Sequence, residues 1–421
     1  MHVCMCIYVY MYVYVCVTPS YDKAADIYKD LIVQLKGALG DINASTAALK
    51  VGSEDVVFGG GAAGMNKWKQ FCNSLRLRIL LRESSTSDAA LNSYVATEMA
   101  ALATDAAANG GYITADVVVQ PGYASSNGQQ NPFYNTYGFA VGSANTVSNY
   151  KFILPTKYLV NLFVNNADSR ITQEYRPVGA TASSAGIQTA AGRYVGSVLG
   201  EQPQPSPTTG STFQAALLGS PVGTFAGTFL RSPNQPTALM LLAEHLFSKS
   251  EAETRRLLTG DAKADYLAGI LASFQTTFRN SPGATDLNRL VNGGDVNAMS
   301  NYTRYMTANV ANGLVDWDAT TTRKTEANGD ISTGANAGVR PVTTLEKILT
   351  QKWLAENTIA GTEGWDDYRR TGLPNIQVST QAERPGVAPS RLLYPQSEIN
   401  TNAANVPVGV TQYDRIFWQR P

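Results

Sequence analysis

The chain has 421 residues and a balanced charge, with 33 Lys and Arg residues against 33 Asp and Glu residues. A neutral chain lacks the basic surface that nucleic acid or anionic lipid attracts, so its composition argues against both as partners. Histidine is nearly absent, at His2 and His245 only. This disfavours the many catalytic and metal-dependent mechanisms that rely on imidazole, and we predict neither a catalytic residue nor a metal site.

Residues 1–20 differ from the rest of the chain. Residues 1–18 contain only Met, His, Val, Cys, Ile, Tyr and Thr. Each of these amino acids can be encoded by a codon in which pyrimidines and purines alternate. We interpret the segment as translated repeat DNA, outside the fold, in front of a truncated gene. It has no Lys or Arg before its apolar run and no small residues before Cys16, so it resembles neither a signal peptide nor a lipobox. It is also short for a membrane-spanning helix.

The segment 21–110 is predicted to be helical, because apolar residues recur there at a spacing of three and four. Helices are expected at residues 21–39, 66–83 and 87–108. The run Asn109-Gly110-Gly111 should end the third helix. Cys72, on the second helix, is the one cysteine outside the first twenty residues, so no internal disulfide framework is expected.

A glycine-rich motif precedes the second helix. Residues 59–64 satisfy the pattern G-x-G-x-x-G after Asp55-Val56-Val57-Phe58, as in a dinucleotide-binding turn. The surrounding sequence has no repeating strand–helix–strand pattern, and no hydrophobic strand ends in an acidic residue about twenty positions on. We therefore predict a turn before a helix, and no bound cofactor.

The remainder of the chain alternates between loop-rich and helical regions. We predict a loop-rich region at 111–235 with one helix at 155–165 and an irregular Pro-rich loop at 202–207. Helices return within 236–360, at 237–258, 263–278, 299–311 and 344–356, and the first two should form a hairpin around Thr259-Gly260-Asp261. The region 361–421 is predicted to be rich in loops. The fold class is therefore mainly α, with tetratricopeptide-like helix pairs, few short strands and a large loop-rich side.

Four segments resemble motifs of the SusD/RagB family. The first is Asp55-Val56-Val57-Phe58-Gly59-Gly60 with Trp68-Lys69-Gln70-Phe71-Cys72-Asn73-Ser74-Leu75-Arg76-Leu77-Arg78, although Phe58 and Gly61 depart from the family's usual Tyr and Asp. The others are residues 260–270, residues 345–355 with 363–374, and residues 391–400. The resemblance extends over residues 21–421, which we expect to form one SusD-like domain.

The resemblance implies a function at the bacterial cell surface. Proteins of this family are outer-membrane lipoproteins that capture oligosaccharides, or in some members peptides, and deliver them to a TonB-dependent SusC-like transporter. The resemblance implies no catalysis and no required cofactor, although some members hold Ca²⁺. The family's signal peptide and lipidated cysteine have no counterpart in this sequence, so surface location is an expectation from the resemblance alone.

The hydrogen-bonding groups and the spacing of the residues in these four segments indicate a structural role. Arginine forms forked hydrogen bonds with carboxylates and could hold irregular loops in place. Leu345, Leu349 and Trp353 recur at a spacing of four and should share one buried helix face. The residues to which we assign structural roles are Trp68, Asn73, Arg76, Arg78, Trp353, Trp365, Arg369, Arg370, Arg391, Tyr394, Pro395, Glu398 and Asn400.

Aromatic residues on loops are the candidate ligand contacts, because the C–H faces of sugar rings stack on aromatic rings. The densest group lies in residues 123–137, among Asn and Gln side chains that suit sugar hydroxyls. A second candidate stands alone near residue 317. The alternative is that these rings only pack loops onto helices. The predicted ligand contacts are Tyr123, Phe133, Tyr134, Tyr137 and Trp317.

Three other functions stay open from the sequence. A tetratricopeptide-like scaffold would bind a peptide or protein partner in a helical groove. A glycoside hydrolase would need two carboxyl groups about 5–10 Å apart across a sugar, whereas Asp366 and Asp367 are adjacent and no second acid is placed opposite them. A truncated, non-functional fragment would expose apolar surface and aggregate.

Overall fold

The structure of the chain is a computed structural model. It describes residues 18–46, 51–143, 147–175, 178, 194–201, 230–278, 290–291, 294–295, 298–322, 340–376, 379 and 388–420. Residues 1–17 of the low-complexity segment and the Pro-rich loop predicted at 202–207 lie outside these ranges.

The fold is mainly α-helical, which confirms the predicted fold class. The helices of the described ranges are α1 (Ala24–Ala44), α2 (Gly61–Glu83), α3 (Ala89–Ala108), α4 (Pro132–Tyr137), α5 (Lys157–Asn165), α6 (Ile171–Glu174), α7 (Leu242–Thr254), α8 (Ala262–Thr277), α9 (Ala298–Ala308), α10 (Thr344–Glu356), α11 (Gly361–Thr371) and α12 (Gln396–Thr401). A short 3₁₀ helix spans Ser148–Phe152. Two antiparallel ribbons join β1 (Val117–Val119) to β2 (Thr237–Met240) and β3 (Leu290–Val291) to β4 (Gly294–Asp295).

Consecutive helices pack as pairs, in agreement with the predicted tetratricopeptide-like arrangement. Helix α2 packs on α3, and α7 packs on both α8 and α10. The α7–α8 hairpin turns around Thr259-Gly260-Asp261, where Asp261 caps α8 by accepting a 3.0 Å hydrogen bond from the N–H of Ala264. Gly269 lets the two helices approach closely, because a Cβ atom there would lie 2.8 Å from the ring of Phe247.

The apolar core consists of three clusters. The largest joins α5, α7, α8, α9 and α10 around buried aromatic residues such as Phe163, Phe247 and Phe274. A second lies between α2 and α3 and includes Ile32 of α1. The third is small and packs Phe71 of α2 against the β1–β2 ribbon. The ribbon is therefore held against the helices.

The segment predicted as one helix at 237–258 is a strand followed by a helix. Residues 237–240 form β2, in which Met240 pairs with Val117 and Thr237 pairs with Val119, and α7 begins at Leu242. A short apolar run suits a strand and a buried helix equally well, and only the presence of a partner strand decides between them. That partner lies more than a hundred residues earlier in the chain.

The C-terminal region contains more helix than the sequence suggested. Within residues 361–421, predicted as rich in loops, the structure contains α11 and α12. Helix α11 lacks an apolar stripe, which is why periodicity missed it. Its charges suit the helix dipole, because Glu363 lies in the first turn and Arg369 and Arg370 lie in the last.

The glycine-rich motif forms a turn before α2. Residues 56–58 are a turn rather than a strand, and α2 begins at Gly61. Gly60 has φ of 69°, and a Cβ atom at this position would overlap the carbonyl oxygen of Gly52. The motif therefore lacks the preceding strand on which a dinucleotide fingerprint depends.

Candidate functional site

A pocket of about 200 Å³ lies beside the β1–β2 ribbon. Five parts of the chain surround it: the ribbon with its flanking residues, the start of α4, the loop at 231–236, the end of α8 and the turn between α10 and α11. Each of its side chains is at least partly buried. The lining residues are Asp116, Val118, Asn131, Phe133, Arg231, Gln235, Pro236, Thr237, Ala238, Leu241, Thr276, Thr358 and Ile359.

Asp116 organises one wall of the pocket through two hydrogen bonds. One carboxylate oxygen accepts the N–H of Leu242 at 2.8 Å, and the other accepts the hydroxyl of Thr276 at 2.8 Å. Arg231 adds a hydrogen bond of 3.3 Å from its guanidinium to the carbonyl of Thr276. This wall is therefore polar and fixed in position by groups from three distant parts of the chain.

Asn131 fixes a second part of the pocket lining. It is 1% exposed, and its side-chain oxygen caps α4 by accepting the N–H groups of Phe133 and Tyr134 at 3.0 and 3.1 Å. Its amide nitrogen donates to the carbonyl of Gln235 and to the hydroxyl of Thr237, both at 3.1 Å. Pro132 at the first helical position favours the same helix start. The position of Phe133 at the pocket is thus set by a buried cap.

Of the five predicted aromatic contacts, Phe133 lines this pocket, and Tyr123 and Tyr137 contact lining residues. Phe133 lines it, and Tyr137 packs against Phe133 with ring centroids 5.4 Å apart. Tyr123 reaches the same place from its loop, because its hydroxyl accepts a 3.2 Å hydrogen bond from Thr237.

The other two predicted aromatic residues lie elsewhere. Tyr134 is 1% exposed within the largest core cluster, so in this conformation its ring presents no face to a ligand. One helical step separates it from Phe133, and the helix turns the two rings in different directions. Trp317 packs against the ring of Tyr266 at 5.2 Å and beneath the ammonium of Lys347 at 5.8 Å, and it does not line the pocket beside Phe133.

Apart from Phe133, no lining residue was predicted as a ligand contact, and the missed polar ones include Asp116, Arg231, Thr276 and Thr358. Each is an isolated polar residue without a motif around it, and they converge only through the fold. Thr358 has φ of 65°, a conformation that is rare for β-branched residues. Strained backbone of this kind concentrates at functional sites, but nothing in the sequence reveals it.

Two family-like residues in the first half and the middle of α2, Trp68 and Asn73, contact neighbouring irregular segments. The indole N–H of Trp68 donates to Asp55 at 2.9 Å, and the side-chain amide of Asn73 donates to the carbonyl of Gly111 at 2.9 Å. Both side chains therefore hold irregular segments against the helix.

The two arginines further along α2 form ion pairs. Arg76 is fully buried and contacts Asp105 of α3 at 2.7 Å. Arg78 makes a forked contact with Glu244 of α7, with N–O distances of 2.7 and 2.9 Å. These pairs connect α2 to two other helices, away from the pocket lining.

Arg369 and Trp365 hold the C-terminal loop. The guanidinium of Arg369 lies 3.5 Å from the centre of the Trp365 ring and 4.7 Å from that of Trp418, and it donates to the carbonyl of Ser390 at 2.8 Å. The indole N–H of Trp365 donates to the carbonyl of Pro389 at 2.9 Å. Stacking and hydrogen bonding thus fix an irregular segment on α11.

Arg370 connects α11 to α7 through a buried ion-pair network. Its guanidinium contacts both carboxylate oxygens of Glu251 and one of Asp367, the latter at 2.7 Å. Lys352 of α10 also contacts Asp367, at 2.7 Å. Burial opposes ionisation of Asp367, but Lys352 and Arg370 hold the pKa of this carboxyl well below its usual range.

The fourth family-like segment contacts the beginning of the described chain. The rings of Tyr394 and Tyr21 meet edge to face at 5.1 Å, and Glu398 accepts the Tyr21 hydroxyl at 2.7 Å. Arg391 lies over the ring of Tyr394, with its guanidinium 5.4 Å from the ring centre. Glu398 also accepts a 3.1 Å hydrogen bond from the side-chain amide of Asn402, so it joins α12 to the beginning of the described chain.

The remaining family-like residues have local contacts. The ring of Trp353 meets that of Tyr158 at 5.6 Å on the largest core cluster. Pro395 directly precedes α12, and Asn400 accepts a 2.9 Å hydrogen bond from Gln396 within that helix.

Two further features concern ions and membranes. Among the residues that the structure describes, no three His, Cys, Asp or Glu side chains converge as metal ligands. In the same ranges, no helix combines the length and the apolar character that a membrane span requires.

Comparisons with known proteins agree with the fold. A family described as "Starch-binding associating with outer membrane" matches residues 13–395. Among solved structures, a SusD-like protein from Bacteroides thetaiotaomicron is 21% identical with a TM-score of 0.63, over 98% of this chain and 76% of that one. A chitin-binding SusD homologue from Flavobacterium johnsoniae is 20% identical with a TM-score of 0.61, over 96% of this chain and 74% of that one.

A SusD homologue from Bacteroides uniformis is similar to the same degree, at 19% identity and a TM-score of 0.63, over 96% of this chain and 74% of its own. Identities this low show a shared fold and nothing finer. A comparison with curated protein sequences gives no significant match. The family match covers most of the chain, and we conclude that the chain belongs to the SusD-like family.

Proposed function

We propose that the chain binds oligosaccharides at the surface of the outer membrane without cleaving them. The family description, starch binding in association with the outer membrane, supports this class of ligand and this location. Two structural neighbours described as chitin-binding support the same ligand class. The pocket beside the β1–β2 ribbon is the proposed binding site.

The observation that carries the proposal is the combination of Phe133 with a fixed polar wall in one pocket. A sugar ring needs a flat apolar surface for its C–H face and hydrogen-bonding groups for its hydroxyls. Phe133 supplies the first, and Asp116, Arg231 and Gln235 supply the second. Because Asn131 and Thr276 already hold these walls in place, the site loses little conformational freedom on binding.

The carboxylates at the site support binding rather than hydrolysis. Glycosidases of the usual type use two carboxyl groups on opposite sides of the scissile bond. Among the described residues that line this pocket, Asp116 is the one carboxylate, and both of its oxygens accept hydrogen bonds from the protein. A single carboxyl group does not supply the pair that glycosidases of this type require.

Titration calorimetry of the full chain against linear maltooligosaccharides, chitooligosaccharides and other plant and fungal oligosaccharides tests the proposal, with product analysis of the same samples. Heat of binding with intact sugar at the end supports it. Shortened products would overturn the claim of binding without cleavage. If a folded sample releases no heat with any glycan but binds peptides, the scaffold alternative replaces it. Repeating the titration with EDTA tests the Ca²⁺ that the family resemblance leaves open.

We also propose, from family membership, that the protein is a surface lipoprotein that passes its ligand to a TonB-dependent SusC-like transporter. Co-purification with such a transporter from detergent-solubilised outer membranes tests this step. Recovery of a stable complex supports delivery. Glycan binding by the chain without any complex would leave the binding proposal intact and overturn the partnership.

A further inference from the structure

We infer that a second cleft in the protein binds an aliphatic ammonium group, of the kind carried by a free diamine or by a lysine side chain. The inference goes beyond the proposed glycan binding and does not depend on it, because this cleft and the pocket beside the β1–β2 ribbon share no lining residue. A buried carboxylate without a hydrogen-bond donor, a surplus of negative charge and an apolar wall carry it.

The cleft lies between the end of α3 and the α7–α8 hairpin and has a volume of about 470 Å³. Its lining comes from residues 103–112 and 249–265, two stretches that the structure describes without a gap. Sites for small organic molecules usually measure roughly 300–1,000 Å³. The cleft therefore has room for an organic group.

Glu253 is the polar side chain of the cleft that most lacks a partner. Its side chain is 3% exposed, and no donor among the described residues reaches its buried Oε2. The ammonium of Lys249 stays 3.9 Å from Oε1, beyond hydrogen-bond distance. Gly260 leaves room for the carboxylate, because a Cβ atom there would overlap Oε1. A buried carboxylate without donors costs free energy, which a cationic donor in the cleft would offset.

The charges around the cleft are mostly negative. Among the described residues that line it, the carboxylates are Glu253, Asp261 and Asp265, and the one cation is Lys249. Helices α3 and α7 also end beside the cleft. The unpaired carbonyl groups at the C-terminus of a helix favour a positive charge nearby. The cleft should therefore attract a cation.

The side chain of Lys249 indicates which kind of cation suits the cleft. Its ammonium contacts Asp265 at 2.8 Å and lies 5.9 Å from the centre of the Tyr112 ring. The apolar part of the lining consists of alanines of α3 and α8 together with Leu258, a surface that suits methylene groups. An ammonium on an alkyl chain matches both parts of the lining, whereas a neutral sugar would leave Glu253 without a cation.

Binding of an ammonium should release a proton from Glu253. Burial raises the pKa of Glu253 to about 7, and the charges of Asp265 and Asp261 act in the same direction, while Lys249 opposes them. Burial also raises the pKa of Tyr112, to about 12, so this ring stays neutral near pH 7. A bound cation favours the ionised carboxylate, of which about a tenth is present at pH 6. Affinity should therefore be about tenfold lower at pH 6 than at pH 8.

Calorimetric titration of the full chain at pH 6 and pH 8 tests the inference. The probes are cadaverine, the amide of Nα-acetyl-lysine and, as a neutral control of similar shape, the amide of Nα-acetyl-norleucine. We expect both amines to bind, more tightly at pH 8, and the norleucine compound not to bind. Tighter binding of the lysine compound supports a peptide side chain as the source of the ammonium, and tighter binding of cadaverine supports a free amine. Failure of both amines to bind a folded sample, or equal binding of the norleucine compound, would overturn the inference.

Two variants test whether the ammonium meets Glu253. Glu253→Gln keeps the shape of the side chain, and should weaken amine binding by at least about tenfold at pH 8 and remove the difference between pH 6 and pH 8. Gly260→Ala keeps every charge but displaces the carboxylate, and should also weaken binding. Asp30→Asn, on the exposed side of α1, removes one negative charge elsewhere and should leave affinity unchanged.

Thermal unfolding verifies that each variant folds. If Glu253→Gln does not fold, Gly260→Ala and the pH dependence of the unaltered chain still decide. Unchanged affinity and an unchanged pH dependence in folded Glu253→Gln would overturn the inference and leave glycan binding untouched. Failure of every glycan to bind would overturn the proposed function and leave this cleft untouched.

Discussion

The hydroxyl of Thr276 donates a 2.8 Å hydrogen bond to the carboxylate of Asp116, although 160 residues separate the two in the chain. The same carboxylate accepts the N–H of Leu242, the first residue of α7, at 2.8 Å. Asp116 thus satisfies one of the N–H groups that a helix leaves unpaired at its start. One side chain fixes the beginning of α7, the end of α8 and a wall of the pocket.

Replacing Asp116 should therefore lower stability through two hydrogen bonds. Asp116→Ala leaves the N–H of Leu242 and the hydroxyl of Thr276 without this acceptor, and we expect a loss of about 1–3 kcal/mol in the free energy of unfolding. Asp116→Asn keeps a side-chain oxygen that can accept the N–H of Leu242, so its free energy of unfolding should fall less than that of Asp116→Ala. Chemical denaturation of the three proteins measures the difference. Equal stability of all three would show that the carboxylate supports neither helix.

The contact of Arg370 with Glu251 is expected to be a major determinant of stability. Arg370 is 1% exposed, and its removal by Arg370→Ala leaves buried carboxylates with fewer partners. Losing one member of a buried pair typically costs about 3–5 kcal/mol. We expect the lower end of this range, because Arg255 still contacts Glu251 and Lys352 still contacts Asp367.

A surface ion pair provides the control for Arg370. Lys36 and Glu98 approach to 3.2 Å, but the side chain of Lys36 is 41% exposed. Lys36→Ala should cost less than about 1 kcal/mol in urea or guanidinium unfolding. If Arg370→Ala lowers the free energy of unfolding as little as Lys36→Ala does, the buried network does not hold α7 and α11 together.

Glu174 should make the protein less stable as pH rises. It is 2% exposed on α6, and burial raises its pKa to about 8, although Asn357 and Arg170 act in the opposite direction. The folded state therefore holds this proton more tightly than the unfolded state, in which the pKa is about 4.3. The contribution of Glu174 to the free energy of unfolding is fully present below about pH 4 and is lost as pH rises towards about 8. The loss amounts to at most about 1.4 kcal/mol for each pH unit.

Glu174→Gln removes this ionisation while keeping an oxygen that can accept the 2.6 Å hydrogen bond from Asn357. The variant should lose less stability than the unaltered chain between about pH 5 and pH 8, measured by urea unfolding at each pH. Asp30→Asn, on the exposed side of α1, serves as the control for removing one negative charge. A pH profile unchanged by Glu174→Gln would contradict the buried neutral carboxyl.

The helical half of the fold could be predicted from the sequence because its information is local. The helices at 66–83, 263–278 and 344–356 lie close to their predicted positions, since apolar spacing and caps such as Asp261 are encoded within each segment. Strand β2 could not be predicted in this way, because its identity depends on the distant partner Val117. Helix α11 was missed since ion pairs, not an apolar stripe, hold it.

The candidate site was predictable only in part. The density of aromatic, Asn and Gln residues at 123–137 pointed to the segment that supplies Phe133, although this residue lies on α4 rather than on a loop. Which rings face outward could not be predicted, because the cap at Asn131 starts a helix that turns Tyr134 into the core. The sequence around Asp116 and around Thr276 contains no motif that marks either residue as part of a site. They become one site through a contact that only the folded chain creates.

The most direct test of the central claim is the affinity of Phe133→Ala for a bound oligosaccharide, measured by calorimetry beside Trp317→Ala. Phe133 lines the pocket, whereas Trp317 packs against Tyr266 outside it. Loss of a stacking ring should weaken binding by about tenfold, in line with about 1–1.5 kcal/mol for an aromatic contact. The account predicts this loss for Phe133→Ala and unchanged affinity for Trp317→Ala. Unchanged affinity for Phe133→Ala together with a loss for Trp317→Ala would contradict it and move the site to the other predicted aromatic residue.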